Sequence, residues 1–257
     1  MKEELQYIYA GIIPARYASS RFPGKPLALI GNKPMIQRVY EQASKILDLV
    51  YVATDDKRIL DTVKDFGGKV IMTSSVHQSG TDRCAEAITR IIEATHSPID
   101  VVINIQGDEP FIRPEQIGLL MKCFTGEDVK IATLVRRTEP GEDIFNINQP
   151  KVVLNTDGDA IYFSRAAIPF IRDIEQSNWS KKHTFYKHIG LYGYRTEILQ
   201  KITLLARSSL EISESLEQNR WLENGFKIRT AVTIWETIGI DTPEDLEKAK
   251  LNLNHLI

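Results

Sequence analysis

The chain has 257 residues, 42% hydrophobic and 26% charged, with a formal net charge of −2 at pH 7. That length buries a substantial core, as one large domain or a domain with an inserted lobe, and the composition is that of an ordinary soluble protein. The near-neutral balance excludes a generally basic nucleic-acid binder but leaves room for a local cationic pocket.

A first strand is predicted over 7–13, feeding a loop that carries Arg16, Arg21 and Lys25. Three cations on one short loop suggest a polyphosphate site, with an ordinary solvated surface as the alternative. A Walker loop needs Ser or Thr after its Gly-Lys, and here Pro26 follows Lys25. A dinucleotide fingerprint needs three closely spaced glycines, and Gly11 and Gly24 stand far apart. Both readings fail, leaving a strand whose carboxyl end opens onto cations, the usual ligand edge of an α/β sheet.

Pro34 reads as a first-turn helix residue, with Ile36, Val39, Tyr40, Ala43, Ile46 and Leu47 on one helical face. A strand over 49–53 follows, then a helix capped within Thr54-Asp55-Asp56 and stopped by Gly67-Gly68. A strand over 69–72 leads through a polar loop to a helix over 81–93, which turns Cys84, Ile88, Ile91 and Ile92 inward. The run 101–105 is the most apolar strand and so is expected to be central, buried on both faces. This alternation predicts an α/β fold with a Rossmann-like first half.

Beyond a helix over 114–124, strands are expected over 130–136, 151–154, 160–163, 189–194 and 226–235, with a hairpin turn at Thr156-Asp157-Gly158-Asp159. Residues 172–182 read as a mobile surface loop or an interface segment near Trp179. One helix is expected over 212–223, and a last one begins with Thr242 as N-cap and Pro243 at its first position. With no repeat or low-complexity tract, the mixed second half is expected to pack onto the first.

Asp108 ends the most buried strand, where a carboxylate has no packing purpose and suits a divalent cation beside a phosphate. Glu109 is adjacent but points elsewhere in an extended chain, and ranks below it. Asp241 is a second carboxylate of this kind, or else simply starts the last helix. Arg165 ends a strand, and His188 and Tyr192, four apart, share a strand face that lines a pocket or packs a core. Glu217 and Gln218 fall on the expected helix, where a solvated face is the default. The loop 76–81 reads base edges or caps its helix. Cys84 and Cys123 lack metal or disulfide spacing, so a reduced cytosolic setting fits. No secretory signal or membrane-spanning run is read in the sequence.

Several segments together resemble the 3-deoxy-manno-octulosonate (Kdo) cytidylyltransferase family: Ile13-Pro14-Ala15-Arg16, Ser20-Arg21-Phe22-Pro23-Gly24-Lys25, His77-Gln78-Ser79-Gly80-Thr81, Gln106-Gly107-Asp108-Glu109-Pro110, Tyr162-Phe163-Ser164-Arg165, His188-Ile189-Gly190-Leu191-Tyr192 and Leu216-Glu217-Gln218. The resemblance spans nearly the whole chain. It implies a single nucleotidyltransferase domain over 1–257 with a glycosyltransferase A-type mixed sheet, in which about 130–225 holds a smaller α+β sugar-binding and dimerisation lobe. It further implies CMP transfer from CTP to Kdo for lipopolysaccharide assembly by a cytoplasmic homodimer, without nucleic acid or integral membrane association.

By the family pattern, Arg21, Lys25, Asp108 and Asp241 are catalytic, and Asp108 and Asp241 bind Mg²⁺. Ala15, Arg16, Arg21, Lys25, Gln78, Ser79, Gly80 and Asp108 hold the nucleotide. Gln106, Arg165, His188, Tyr192, Glu217 and Gln218 form the sugar pocket. Two departures stand out: Asn219-Arg220 replaces the family's usual Leu-Arg, and 73–76 lacks an Arg that some relatives carry. A modified Kdo, another acidic sugar, or a non-catalytic nucleotide-sugar binding module are the rival readings.

Overall fold

A computed structural model describes residues 7–19, 21–126 and 128–251, so Ser20 of the cationic motif lies outside the described residues. The first half alternates as the apolar periodicity requires: β1 (Tyr9–Ala15), a 3-10 turn at Lys25–Leu27, a hairpin of β2 (Leu29–Ile30) and β3 (Lys33–Pro34), α1 (Met35–Ala43), β4 (Val50–Thr54), α2 (Lys57–Asp65), β5 (Val70–Met72), α3 (Gly80–Thr95) and β6 (Val101–Asn104). After α4 (Pro114–Lys122) come β7 (Ile131–Arg137), β8 (Lys151–Leu154), β9 (Ala160–Ser164), the single turn α5 (Trp179–Lys182), β10 (Tyr186–Arg195), α6 (Thr196–Ile202), α7 (Ser209–Glu214), α8 (Gln218–Glu223), β11 (Ile228–Thr233) and α9 (Pro243–Leu251).

These elements form two units, one from the described parts of Met1–Gly118, Gly193–Thr203 and Thr237–Ile257, the other from Leu119–Tyr192 and Leu204–Glu236. In the first, parallel strands run in the order β6-β1-β4-β5. β6 is buried along its whole length, as expected of a continuous apolar run. Two later stretches complete this unit. Thr196 Oγ1 donates to the Ile99 carbonyl at 2.6 Å, and Gln200 Nε2 to the Ala85 carbonyl at 3.0 Å. Ile240, Leu246 and Ala249 join a buried cluster with Ile30, Met35 and Phe111. In the second unit β11 lies parallel to β7, while β8 is antiparallel to both β9 and β10.

Helix starts follow their caps. Asp56 accepts from Arg58 N at the head of α2, and Ser79 and Asp82 form a reciprocal capping box at the head of α3. Thr242 Oγ1 accepts from Asp245 N while Asp245 accepts from Thr242 N, which fixes the start of α9.

Four expectations change. Pro34 precedes α1 and pairs in a hairpin, and α1 ends at Ala43, so Ile46 is exposed while Leu47 is buried from the following turn. Ile92 is only partly buried. The single helix over 212–223 is two, because Ser215 takes a left-handed conformation (φ 52°) that ends α7 before α8 begins. The segment 172–182 is largely exposed, as expected of a surface loop, but Trp179 within it sits in a buried cluster with Ile144 and Phe185, its Nε1 donating to the Ile174 carbonyl. That ring packs within its own unit.

Candidate active site

The cationic loop is shaped by Gly24. Its φ of +73° is a left-handed conformation open to glycine, and a Cβ there would come within 3.1 Å of the Tyr17 ring. Gly24 N donates to the Tyr17 carbonyl at 2.9 Å, which closes the loop on itself. The Arg58 guanidinium lies 3.2 Å from the centre of the same ring, holding it from α2. Lys25 then enters the 3-10 turn with its side chain 13% exposed.

Asp108 reaches the same place from β6. A Cβ on Gly107 would lie 2.9 Å from the Pro14 carbonyl, so only glycine lets this turn pass so close to the end of β1. Ile240 N donates to the Asp108 carbonyl at 2.9 Å, a backbone link that delivers Asp241 beside it. Lys25 Nζ lies 2.6 Å from Asp108 Oδ2 and 3.2 Å from Asp241 Oδ1, and Arg21 Nη2 lies 3.1 Å from the latter. Asp241 is therefore not spent on starting α9, where Asp245 and Thr242 make the cap.

These groups border a cavity of about 330 Å³, also lined by Ala15, Arg16, Gln78, Ser79, Gly80 and Gln106. Every nucleotide-site residue expected from the sequence lines it. His77, from the loop 76–81, lines it too, as do Ser19 and Arg83, which were given no role. For Arg83 a signal existed, since a cation on the inward face of an apolar helix has to be there for a partner.

Asp108 and Asp241 share one ammonium, so both carboxylates face the same point. Among the described residues no group of three or more His, Cys, Asp or Glu could hold a metal. Two hard oxygen donors beside a phosphate-sized cavity nonetheless suit Mg²⁺, which takes one or two carboxylates and fills its remaining positions from phosphate and water. Glu109 does not add to the pair. Burial, then the charge of Asp108, push its carboxyl up to about 8 against a hydrogen bond from Thr237, so at neutral pH it is largely a neutral acid.

The expected sugar residues other than Gln106 lie in the second unit. The His188 and Tyr192 rings, on one face of β10, have centres 5.2 Å apart, with Phe163 against His188 and Trp221 against Tyr192. Burial pushes His188 down to about 3, so its ring is neutral; Nε2 lies 3.1 Å from Thr133 Oγ1. Burial, then the charge of Glu217, push the Tyr192 hydroxyl well up. Glu217 pairs with Arg220 at 2.7 Å.

Gln218 is not on a solvated face: it is 5% exposed, and its buried Nε2 has no hydrogen-bond partner among the described residues. A buried donor left unpaired carries a cost that a ligand can remove. Arg165 is differently placed. Its guanidinium donates to the carbonyls of Glu214 (2.7 Å), Ile147 (2.9 Å) and Ser215 (3.3 Å), so most of its capacity goes to the backbone. The departure at Asn219 is fully buried and pairs with the backbone N–H and carbonyl of Phe163, a packing role within the unit.

A family model described as cytidylyltransferase matches residues 10–231. A 3-deoxy-manno-octulosonate cytidylyltransferase from Parabacteroides distasonis is 59% identical over 245 residues, covering 94% of this chain and 96% of its own. One of the same name from Bacteroides thetaiotaomicron matches equally, at 59% over the same shares. Among solved structures, a CMP:2-keto-3-deoxy-manno-octonic acid synthetase complexed with CTP superposes with a TM-score of 0.87 at 42% identity, over 97% of this chain and 99% of that one.

Proposed function

This chain belongs to the 3-deoxy-manno-octulosonate cytidylyltransferase family, and on that premise we propose that it couples CTP to Kdo, releasing pyrophosphate and giving CMP-Kdo for lipopolysaccharide assembly. The observation that carries the mechanism is the meeting of Lys25 with Asp108 and Asp241 in the lining of the first unit's cavity. The sugar's anomeric oxygen bonds to the α-phosphorus as the bond to the β-phosphate oxygen breaks. The electron pair leaves with pyrophosphate and the hydroxyl proton passes to solvent.

Arg16, Arg21 and Lys25 hold the triphosphate and neutralise the charge that grows on the leaving group, the main task of a protein in phosphoryl-type transfer. Asp108 and Asp241 would hold Mg²⁺, which when bound supplies Lewis acidity at the α-phosphate and lowers the pKa of the attacking hydroxyl. Gln78, Ser79 and Gly80 face the nucleoside. Gln106, His188, Tyr192, Glu217 and Gln218 bind the sugar, and the unpaired Gln218 amide is the donor best suited to a sugar oxygen. Arg165 acts on the sugar chiefly by fixing the backbone around Ser215. Because Asn219 serves packing, its departure from the family pattern gives no support to an amino-sugar substrate.

The reading includes a cytoplasmic homodimer, and no described helix is long and apolar enough to cross a membrane. The deciding assay follows pyrophosphate release with Mg²⁺ and each nucleoside triphosphate against Kdo, sialic acid and sugar 1-phosphates. Release with CTP and Kdo is expected. Release with a sugar 1-phosphate but not with Kdo sinks the reading, and a monomer in sedimentation velocity removes the dimer.

A further inference from the structure

The loop between β5 and α3 carries Gln78 and Ser79 into the nucleotide cavity, yet it has little apolar burial to hold its shape. Val76, near its middle, is 72% exposed. What fixes it is polar and comes from α3. Arg83 and Glu86 lie one turn apart on one helical face. Arg83 Nη1 donates to Thr73 Oγ1 at 2.6 Å, and its Nη2 lies 3.4 Å from Asp55 Oδ2. Glu86 Oε2 accepts from Ser74 N at 2.8 Å and is hydrogen-bonded to His77 Nε2, while Oε1 pairs with Arg90 at 2.6 Å. Ser79 Oγ accepts from Asp82 N at 3.1 Å. The start, middle and end of the loop are thus gripped from three positions on one helix.

We propose that Glu86, which does not itself line the cavity, is a positioning residue for nucleobase choice: through Ser74 and His77 it holds the loop in the shape that accepts cytosine over uracil. The two bases exchange a donor for an acceptor at neighbouring ring positions. A site tells them apart only if its own donors and acceptors cannot turn to suit either, because rejection depends on leaving a polar group unpaired. A loop fixed by apolar packing would keep that rigidity after losing one hydrogen bond. This loop has charged anchors instead, so removing the Glu86 carboxylate frees its middle and selectivity is the first property lost. The proposal rests on reading the cavity as the CTP site.

The test titrates CTP and UTP calorimetrically into wild type, Glu86→Gln, His77→Asn and the double variant. Each single variant is expected to weaken CTP about tenfold and UTP less, and the double is expected to lose clearly less than the sum of the singles, since the Glu86–His77 contact is common to both. In Glu86→Gln, kcat at saturating CTP and KM for Kdo should stay within about twofold of wild type. Unchanged CTP affinity and preference, additive losses, or a fall in kcat and in Kdo affinity alongside CTP affinity each overturn the proposal. Should Glu86→Gln fail to fold, Glu86→Asp, which keeps the charge but shortens the reach to Ser74 and His77, decides by the same criteria. Wild type that binds CTP but releases no pyrophosphate with Kdo removes the proposed function and leaves these nucleotide affinities to judge the loop.

Discussion

Lys25 bridges two carboxylates that would otherwise repel one another. Replacing it with Met removes the ion pair that Asp108 makes and leaves Asp241 with Arg21, whose side chain is 64% exposed and thus well screened. Lys25→Met is therefore expected to melt lower than wild type in chelator and to gain more from added Mg²⁺, while kcat/KM for CTP falls on the order of 10²-fold or more. Equal Mg²⁺ shifts in the two proteins would contradict a shared metal site. His188 gives a second prediction, in pH. Its folded pKa near 3 lies below the 6.5 of the unfolded chain, so as pH falls the unfolded state takes up the proton first. Its share of stability is present above about pH 6.5 and drains away toward pH 3, amounting to about 2 kcal/mol lost by pH 5. His188→Asn should show a shallower fall in melting temperature between pH 7 and pH 5, and parallel curves would refute this. At this scale the sequence pointed to Lys25 by the cluster of cations on its loop and to Asp108 by its place after β6. It could not show that Arg165's donors are already taken by carbonyls, since that depends on residues distant in the chain.

Periodicity found the strands and the long helices but joined α7 to α8. Sequence spacing supports one helix there, and the break at Ser215 comes from tertiary demands. Glu214 must put its carboxylate on β9, where it accepts from Ser164 Oγ (2.6 Å), Arg165 N (2.9 Å) and Tyr162 Oη (3.1 Å). Leu216 and Trp221 must both be buried. Burial raises the Glu214 pKa, and these donors more than offset that, leaving it net lowered. The element is set by where its end must attach, which local propensity does not encode. Glu214→Ala strips three donors of a charged acceptor, and is expected to cost about 1–3 kcal/mol in urea melts. It should also raise KM for Kdo while leaving KM for CTP unchanged, because the turn it holds leads directly into Glu217 and Gln218. An equal rise in both constants would mean that the turn is only structural.

On the proposed function the nucleotide residues fall in the first unit and the sugar residues other than Gln106 in the second, and this was the least legible feature of all. Alternating β and α patterns revealed the first half. Nothing local told that residues 193–203 and 237–251 return to complete it, because closure over such separations is read from cavities left for Ile240, Leu246 and Thr196, not from periodicity. One consequence is testable. All residues lining the nucleotide cavity belong to the first unit, so CTP should bind fully without sugar. Gln218 belongs to the second, and its amide donor is buried without a partner among the described residues. Gln218→Ala then removes a desolvated donor without breaking a hydrogen bond, the case in which truncation costs little or even stabilises. The variant is expected to melt within a few degrees of wild type and to bind CTP calorimetrically within about twofold, yet to lose about tenfold or more in kcat/KM for Kdo. The combination matters more than any one number: a site residue whose loss spares stability and nucleotide binding is held for the sugar, whereas a core residue would lower the melt first. A clear loss of stability with Kdo kinetics intact would return Gln218 to the core.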